Sequence, residues 1–315
     1  MQANMGMAGE FRCVVKRADG SVKLDTGYQK NLILDQGLDF FGGGRGGFMT
    51  QYCVIGSGNS QPSYTQNKLD NTVVGVQGGM FSSKTDYDAI KNGKLYTNYT
   101  MSKFSFAGLN NVNISEVGLA STYGSPSNYY LCTRALIKDV SGNPTTITVL
   151  SGETLDIYYK LWAVFDTTDK TGQINLLNGA GGSVPYKYQA RLAKVGNDLY
   201  NNTASIFSVN TNQTNMTNND LSAITTVPST GLSSYTATSY ESNAYVQNSY
   251  KRVFLINFDV SKANAANRVL VITLNNSCWQ IRFGAVADDS PIVKNNTQTL
   301  TIPIEVSWGR YEGVL

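Results

Sequence analysis

The chain contains no histidine. That absence excludes Ser-His-Asp and Cys-His nucleophilic catalysis and the common histidine-ligated metal sites. Any catalysis by side chains then falls to carboxylates, Lys or Tyr. Charge is also scarce. Charged residues make up 15% of the 315 residues, against about a quarter in ordinary domains. Net charge is +3 and the basic residues are scattered, so no basic stripe marks a nucleic-acid partner. No apolar run reaches the length of a membrane span. The start, MQANMGMAGE, has neither a basic opening nor an apolar core. It is not expected to act as a signal peptide. Cys13, Cys53, Cys132 and Cys278 form no CxxC pair, and the first three lie in apolar runs. They read as buried free thiols acting as small hydrophobes, with a disulfide or zinc site as the alternative.

What the chain has instead is Asn, Ser, Thr, Gly and Tyr, together with short strand-like runs. The run at 147–165, ITVLSGETLDIYYKLWAVF, is two apolar segments around the turn Ser151-Gly152-Glu153. Its β-branched and aromatic content suits a pleated, half-buried surface. We expect a strand that turns into a long central strand, with Trp162 in the core and with 114–120 and 129–137 as antiparallel neighbours. Further strands are expected at 11–17, 28–34, 51–55, 94–106, 186–195, 253–260, 269–274, 278–283 and 300–308. An Asp-Gly turn at 19–20 joins two alternating runs. The best short helix candidate is 34–41, despite Gly37. The expected fold class is all-β: two antiparallel β-sandwich-like domains with only short helices. The domains are 1–166, for assembly or attachment, and 185–315, variable and outward-facing. A linker spans 167–184, and the polar Asn/Thr segment 201–219 reads as loops.

Several stretches mimic chemical motifs. GGGRGG at 42–47 is followed by Phe48 and Met49 where a phosphate loop needs Lys-Ser/Thr. It reads as a connector. Gly56-Ser57-Gly58 has Gln61 where a dinucleotide fingerprint needs its third glycine. It reads as a turn leaving a strand. The carboxylate pairs Asp86/Asp88, Asp166/Asp169 and Asp288/Asp289 are the remaining catalytic candidates. Solvated turn residues are the plainer reading, and no residue is assigned a catalytic, cofactor-binding or metal-binding role. Glu116 and Glu153 read as exposed, with buried pairing to Arg134 or Lys160 as the alternative. Tyr235, Tyr240, Tyr245 and Tyr250 recur every five residues, a period that fits neither a strand nor a helix. They are the candidate binding residues, an aromatic surface for glycan or protein. Ordinary packing is the alternative.

The runs ISEVGLA at 114–120, LCTRALI at 131–137 and ITVLSGETLDIYYKLWAVF at 147–165 resemble a pattern of tail proteins from tailed bacteriophages. FRCVVKRADGSVKLDTGYQKNLILDQGLD, CVIGSGNSQPS and the closing LTIPIEVSWGRYEG are similar to the same group. The likeness covers 11–165 and about the last fifteen residues, whereas 185–295 matches no part of it. The resemblance implies a structural virion protein of the tail, its tip or its fibre attachment. It implies a homo-oligomer, a trimer or ring, whose partners are itself and other tail proteins. Such a protein assembles in the host cytoplasm, and the virion leaves by lysis. The resemblance supplies no catalytic residue and no cofactor. Three further readings stand beside it: a receptor-binding module for host glycan or surface protein, a capsid decoration or head-fibre protein, and a polysaccharide-degrading enzyme. The missing histidine and the lack of any parallel-helix repeat weigh against the last.

Overall fold

The computed structural model describes residues 1–42, 49, 51–80, 87–177, 182–195, 209, 211–224, 226–228, 235–274 and 277–315; side chains at 80, 87–89, 96–100 and 194–195 are excepted. The fold is all-β, with one short α-helix among the described residues. The chain forms two compact units. One holds Gly6–Ala89, Tyr96–Val164 and Gly309–Leu315; the other holds Met1–Met5, Ile90–Leu95 and Phe165–Trp308.

In the first unit, the strand Thr154–Asp166 pairs antiparallel with Gln2–Lys16 in an unbroken register from Gly6↔Val164 to Lys16↔Thr154. The paired strands present one apolar face to the core, while Glu10, Arg12, Asp156 and Lys160 stand on the other. Phe11, Cys13, Val15, Leu155, Ile157 and Tyr159 are all buried. The other flank of 154–166 is taken by Lys94–Phe106. The expected neighbours of the long run are therefore corrected. Only its first segment, Ile147–Val149, meets the predicted partner region, pairing with Val112–Ile114. The true partner of the second segment begins at Gln2, in MQANMGMAGE. Its glycines and alanines carry no strand signal, yet they are needed. A Cβ on Gly9 would lie 1.9 Å from the Tyr159 hydroxyl, so the small residue makes room for a large buried ring across the ladder.

The Asp19-Gly20 turn forms as expected. Gly20 adopts φ +83°, which glycine tolerates without strain, and the strand Val22–Asp25 returns along Val14–Lys16. Beyond it the ladder runs Gln29–Ile33, Thr133–Leu136, Glu116–Ser125, Tyr52–Gly56 and Thr72–Gln77. The helix Asp35–Gly42 lies one residue from its expected place. Gly37 is the reason it can pack there, because a Cβ would sit 2.3 Å from the Cys132 carbonyl oxygen. Leu34, Val54, Leu69, Ala120, Tyr129 and Leu131 form a core cluster.

In the second unit, five antiparallel strands lie in the order Lys170–Leu177, Ser183–Val195, Ser277–Ala285, Val269–Thr273 and Asn215–Thr217. Leu192, Trp279, Ile281, Phe283, Leu270, Ile272 and Met216 are buried in it. Phe165 and Trp279 meet edge-on with ring centroids 6.4 Å apart. A second ladder joins Ser239–Ser242, Lys251–Phe258 and Leu300–Arg310. The last of these alternates strictly, burying Leu300, Ile302, Ile304, Val306 and Trp308.

Two sequence expectations change here. The interval 167–184 was expected as a linker, but its centre is the strand Lys170–Leu177. Thr171, Gln173 and Asn175 point outward between Gly172, Ile174 and Leu176, a period of two masked by low apolar content. Part of the expected loop 201–219 is likewise the strand Asn215–Thr217, with all three residues buried. Its neighbour Val269–Thr273 supplies the apolar partner that the polar sequence lacks. The glycine run at 42–47 lies outside the described residues from 43 on, as does 179–181 of GAGG and 201–208 of the Asn/Thr segment.

Candidate functional site

Tyr240 stands on the edge strand Ser239–Ser242, 37% exposed, with its ring centroid 5.9 Å from that of Phe254. Tyr245 and Tyr250 fall in the segment 243–250 that returns the chain to Lys251–Phe258. Asn248 and Tyr250 there take φ of +63° and +49°, which sets a sharp reversal. Tyr245 lies against Trp308 at 5.6 Å between centroids, with the Arg252 guanidinium 6.0 Å from its ring. The Tyr250 carbonyl accepts a hydrogen bond from the Trp308 amide at 3.0 Å. Tyr235 is half-buried in a separate turn; the next residue, Thr236, bridges to Asn215. The four tyrosines are thus not one row. Tyr245 and Tyr250 share the Trp308 neighbourhood, while Tyr240 is on the adjoining strand. None belongs to the buried core. Sequence spacing alone missed Trp308, Arg252 and Phe254, whose places follow from the alternation of strands 300–310 and 251–258. The arrangement offers half-exposed aromatic faces rimmed by Asn and Ser, suited to contact rather than to reaction.

A second polar assembly has a fully buried ion pair at its centre. Glu116 and Arg134 are both 0% exposed. Arg134 Nε donates to Glu116 Oε2 at 2.9 Å, while Nη2 lies 2.8 Å from both Glu116 Oε2 and Asp70 Oδ2. Glu116 Oε1 accepts the amides of Gly58 and Asn71 at 2.9 and 3.0 Å, and Oε2 accepts that of Asp70 at 3.2 Å. The exposed reading of Glu116 is therefore wrong. Its desolvation is offset by a full set of donors, as a buried charge requires. Gly56 and Gly58 are explained as well. A Cβ on either would lie within 2.6 Å of Glu116 Oε1, so the Gly-Ser-Gly turn cradles a protein carboxylate. Glu153 is also buried. It pairs with Lys23 at 2.7 Å and accepts the Leu150 amide at 2.9 Å, closing the 150–153 turn. Lys160, the partner considered for it, instead sits 4.3 Å from the Tyr28 ring centroid.

The catalytic carboxylate candidates are structural where they are described. Asp169 is gripped by Arg191, Nε and Nη2 at 2.7 and 2.6 Å, which holds its carboxyl below the usual range. Asp289 is held the same way by Arg282 at 2.9 and 2.6 Å. Asp166 and Asp288 accept the amides of Thr168 and Ser290 in local turns. None is raised toward the range of a general acid. Asp86 and the Asp88 side chain lie outside the described residues. Among the described residues, no three His, Cys, Asp or Glu side chains gather as a metal site would require.

All four cysteines are free and buried. Burial pushes the Cys13 and Cys132 thiols up to about 12 and that of Cys53 well above its ordinary value. The thiolate is the reactive form. In the folded protein at pH 8, a disulfide reagent should therefore label none of them within minutes, and all four should react in guanidinium. Rapid labelling of Cys13 or Cys132 in the native state would contradict this packing.

No family model, curated protein or solved structure matches the chain.

Proposed function

We propose that the chain is a structural virion protein of a tailed bacteriophage, a component of the tail, its tip or its fibre attachment, acting through homo-oligomeric assembly and contact with other tail proteins. One observation supports the reading most. Apart from Leu300–Trp308 and Phe165, the segments that resemble tail proteins lie in a single compact unit, separated from the unmatched 185–295. Within that unit the buried Glu116–Arg134 pair and the Asp156 cluster with Lys16, Lys103 and Ser105 are ion networks inside the fold, and the glycine turn at 56–58 serves the first of them. Gold-labelled antibody against the folded chain, applied to intact particles, tests the reading. Label at the tail is expected; label on heads alone favours a decoration role, and unlabelled particles overturn the proposal.

The aromatic surface favours a second reading, compatible with the first, in which the Phe165–Trp308 unit contacts host glycan or surface protein. Tyr240→Ala with Tyr245→Ala is then expected to weaken adsorption to host cells at least tenfold. The melting temperature should move only slightly, because the tyrosine rings are partly exposed and each pairing, with buried Phe254 or Trp308, contributes about 0.5–1.5 kcal/mol. A large fall in melting temperature with normal adsorption assigns both rings to packing.

A further inference from the structure

The five-stranded sheet of the second unit ends, among the described residues, in an unpaired edge strand. Lys170–Leu177 is its terminal strand, and among the described residues no strand pairs with its outer side. Proteins ordinarily blunt such an edge with proline, inward charge or a bulge. From Thr171 to Leu177 this strand has no proline and no charge, and its register with Ser183–Val195 runs without a shift to Leu177↔Ser183. Gly172, the one position that weakens a strand, is backed by the Tyr188 ring; a Cβ there would lie 2.7 Å from it. The strand ends in Leu177, 86% exposed, and close by in the same unit Val293 is 69% exposed. The one charge, Lys170, stands at the far end, where its Nζ donates to Asn4 Oδ1 at 2.8 Å.

We infer that this edge is the contact through which two copies of the chain join, by antiparallel pairing of strand 170–177 with itself across a two-fold axis. The inference rests on the oligomeric reading above and adds the surface that performs it. The occupant follows from the pattern. Side chains alternate, so like faces meet only when the numbers of facing residues sum to an even value. Centring the axis on Ile174 sets Ile174 against Ile174, Leu176 against Gly172 with its Tyr188 backing, Gln173 against Asn175, and Leu177 against Thr171. Apolar meets apolar on the inner face, amide meets amide on the outer, and the exposed Leu177 is covered. Lys170 falls outside the paired stretch, so no like charges oppose each other. A two-fold contact of this kind makes a dimer by itself and gives any larger ring an even copy number.

Charge placed at the facing positions tests the register. Thr171 and Leu177 are both exposed, so the fold tolerates change there. Thr171→Lys with Leu177→Lys opposes lysine to lysine twice per contact. It is expected to halve the mass measured by light scattering, with unchanged circular dichroism and melting temperature. Thr171→Glu with Leu177→Lys opposes unlike charges and is expected to restore the native mass, in a salt-sensitive manner. An oligomer whose mass ignores the lysine pair overturns the edge contact and leaves the virion proposal standing. Unchanged mass with lost incorporation into particles gives the edge to a different virion protein and also overturns the second-copy inference. A native chain that stays monomeric removes both the contact and the oligomeric reading beneath it.

Discussion

Arg134→Met is expected to lower the free energy of unfolding by about 3–5 kcal/mol, the cost of leaving a buried charge without its partner. The size follows from the surroundings. Glu116 is fully buried and receives three backbone amides besides the guanidinium. Removing Arg134 leaves those amides in place but strips the charge compensation. It also frees Asp70, whose carboxyl is held below its ordinary range by bonds from Ser60 and Arg134 against the opposing effect of its burial. Arg134→Lys should recover little, because a point charge cannot span Glu116 and Asp70 together. Glu116→Gln combined with Arg134→Met should recover at least half of the loss, since the neutral amide oxygen still accepts backbone donors. Urea unfolding of the three variants checks this. A single-variant loss under about 1 kcal/mol would place the pair among weak surface bridges and contradict the burial described.

The second large effect is at Trp162. Its ring packs with Ala8, Val164, Tyr311 and Leu315, and its Nε1 donates to Glu10 Oε2 at 2.9 Å. Three remote pieces of sequence thus meet on one side chain: the first strand, the long strand and the chain's final residues. Trp162→Ala is expected to cost about 3–5 kcal/mol, as for other large buried aromatics, and to abolish assembly. Trp162→Phe keeps the packing and loses the hydrogen bond, so it should cost only about 1 kcal/mol and assemble normally. Denaturant midpoints give the first quantity and light scattering the second. A Trp162→Ala chain that assembles normally would show that the 154–166 strand does not hold the unit together.

How far the sequence carried differs between the two units for physical reasons. Leu300–Arg310 was legible because one buried face imposes period two, and Thr154–Asp166 because its long apolar run is rich in β-branched and aromatic residues. The helix at 35–42 was legible in spite of Gly37; only the approach to the Cys132 carbonyl explains that glycine. The strand at 2–10 was invisible because Gly6, Ala8 and Gly9 are selected by what lies across from them, Tyr159 above all. The strand at 170–177 was invisible because its period of two carries little apolar content, and that at 215–217 because its burial is lent by the neighbouring strand Val269–Thr273. The Glu116–Arg134 pair is the weaker reading of the sequence alone, since a lone glutamate in an apolar run is most often exposed. The signal that could have reversed the choice was the Gly-x-Gly at 56–58 beside a buried arginine, a pairing that only tertiary contact reveals. The five-residue tyrosine period correctly ruled out a single core face, yet it could not name Trp308, whose ring meets that of Tyr245 and whose amide donates to the Tyr250 carbonyl.

The central claim is that the chain works by assembling with copies of itself. The mass of the purified protein in solution, followed by light scattering from micromolar concentrations upward, tests it most directly. The expected result is a stable species at a multiple of 34.2 kDa. A single 34.2 kDa species that persists at the highest concentration reached would contradict it.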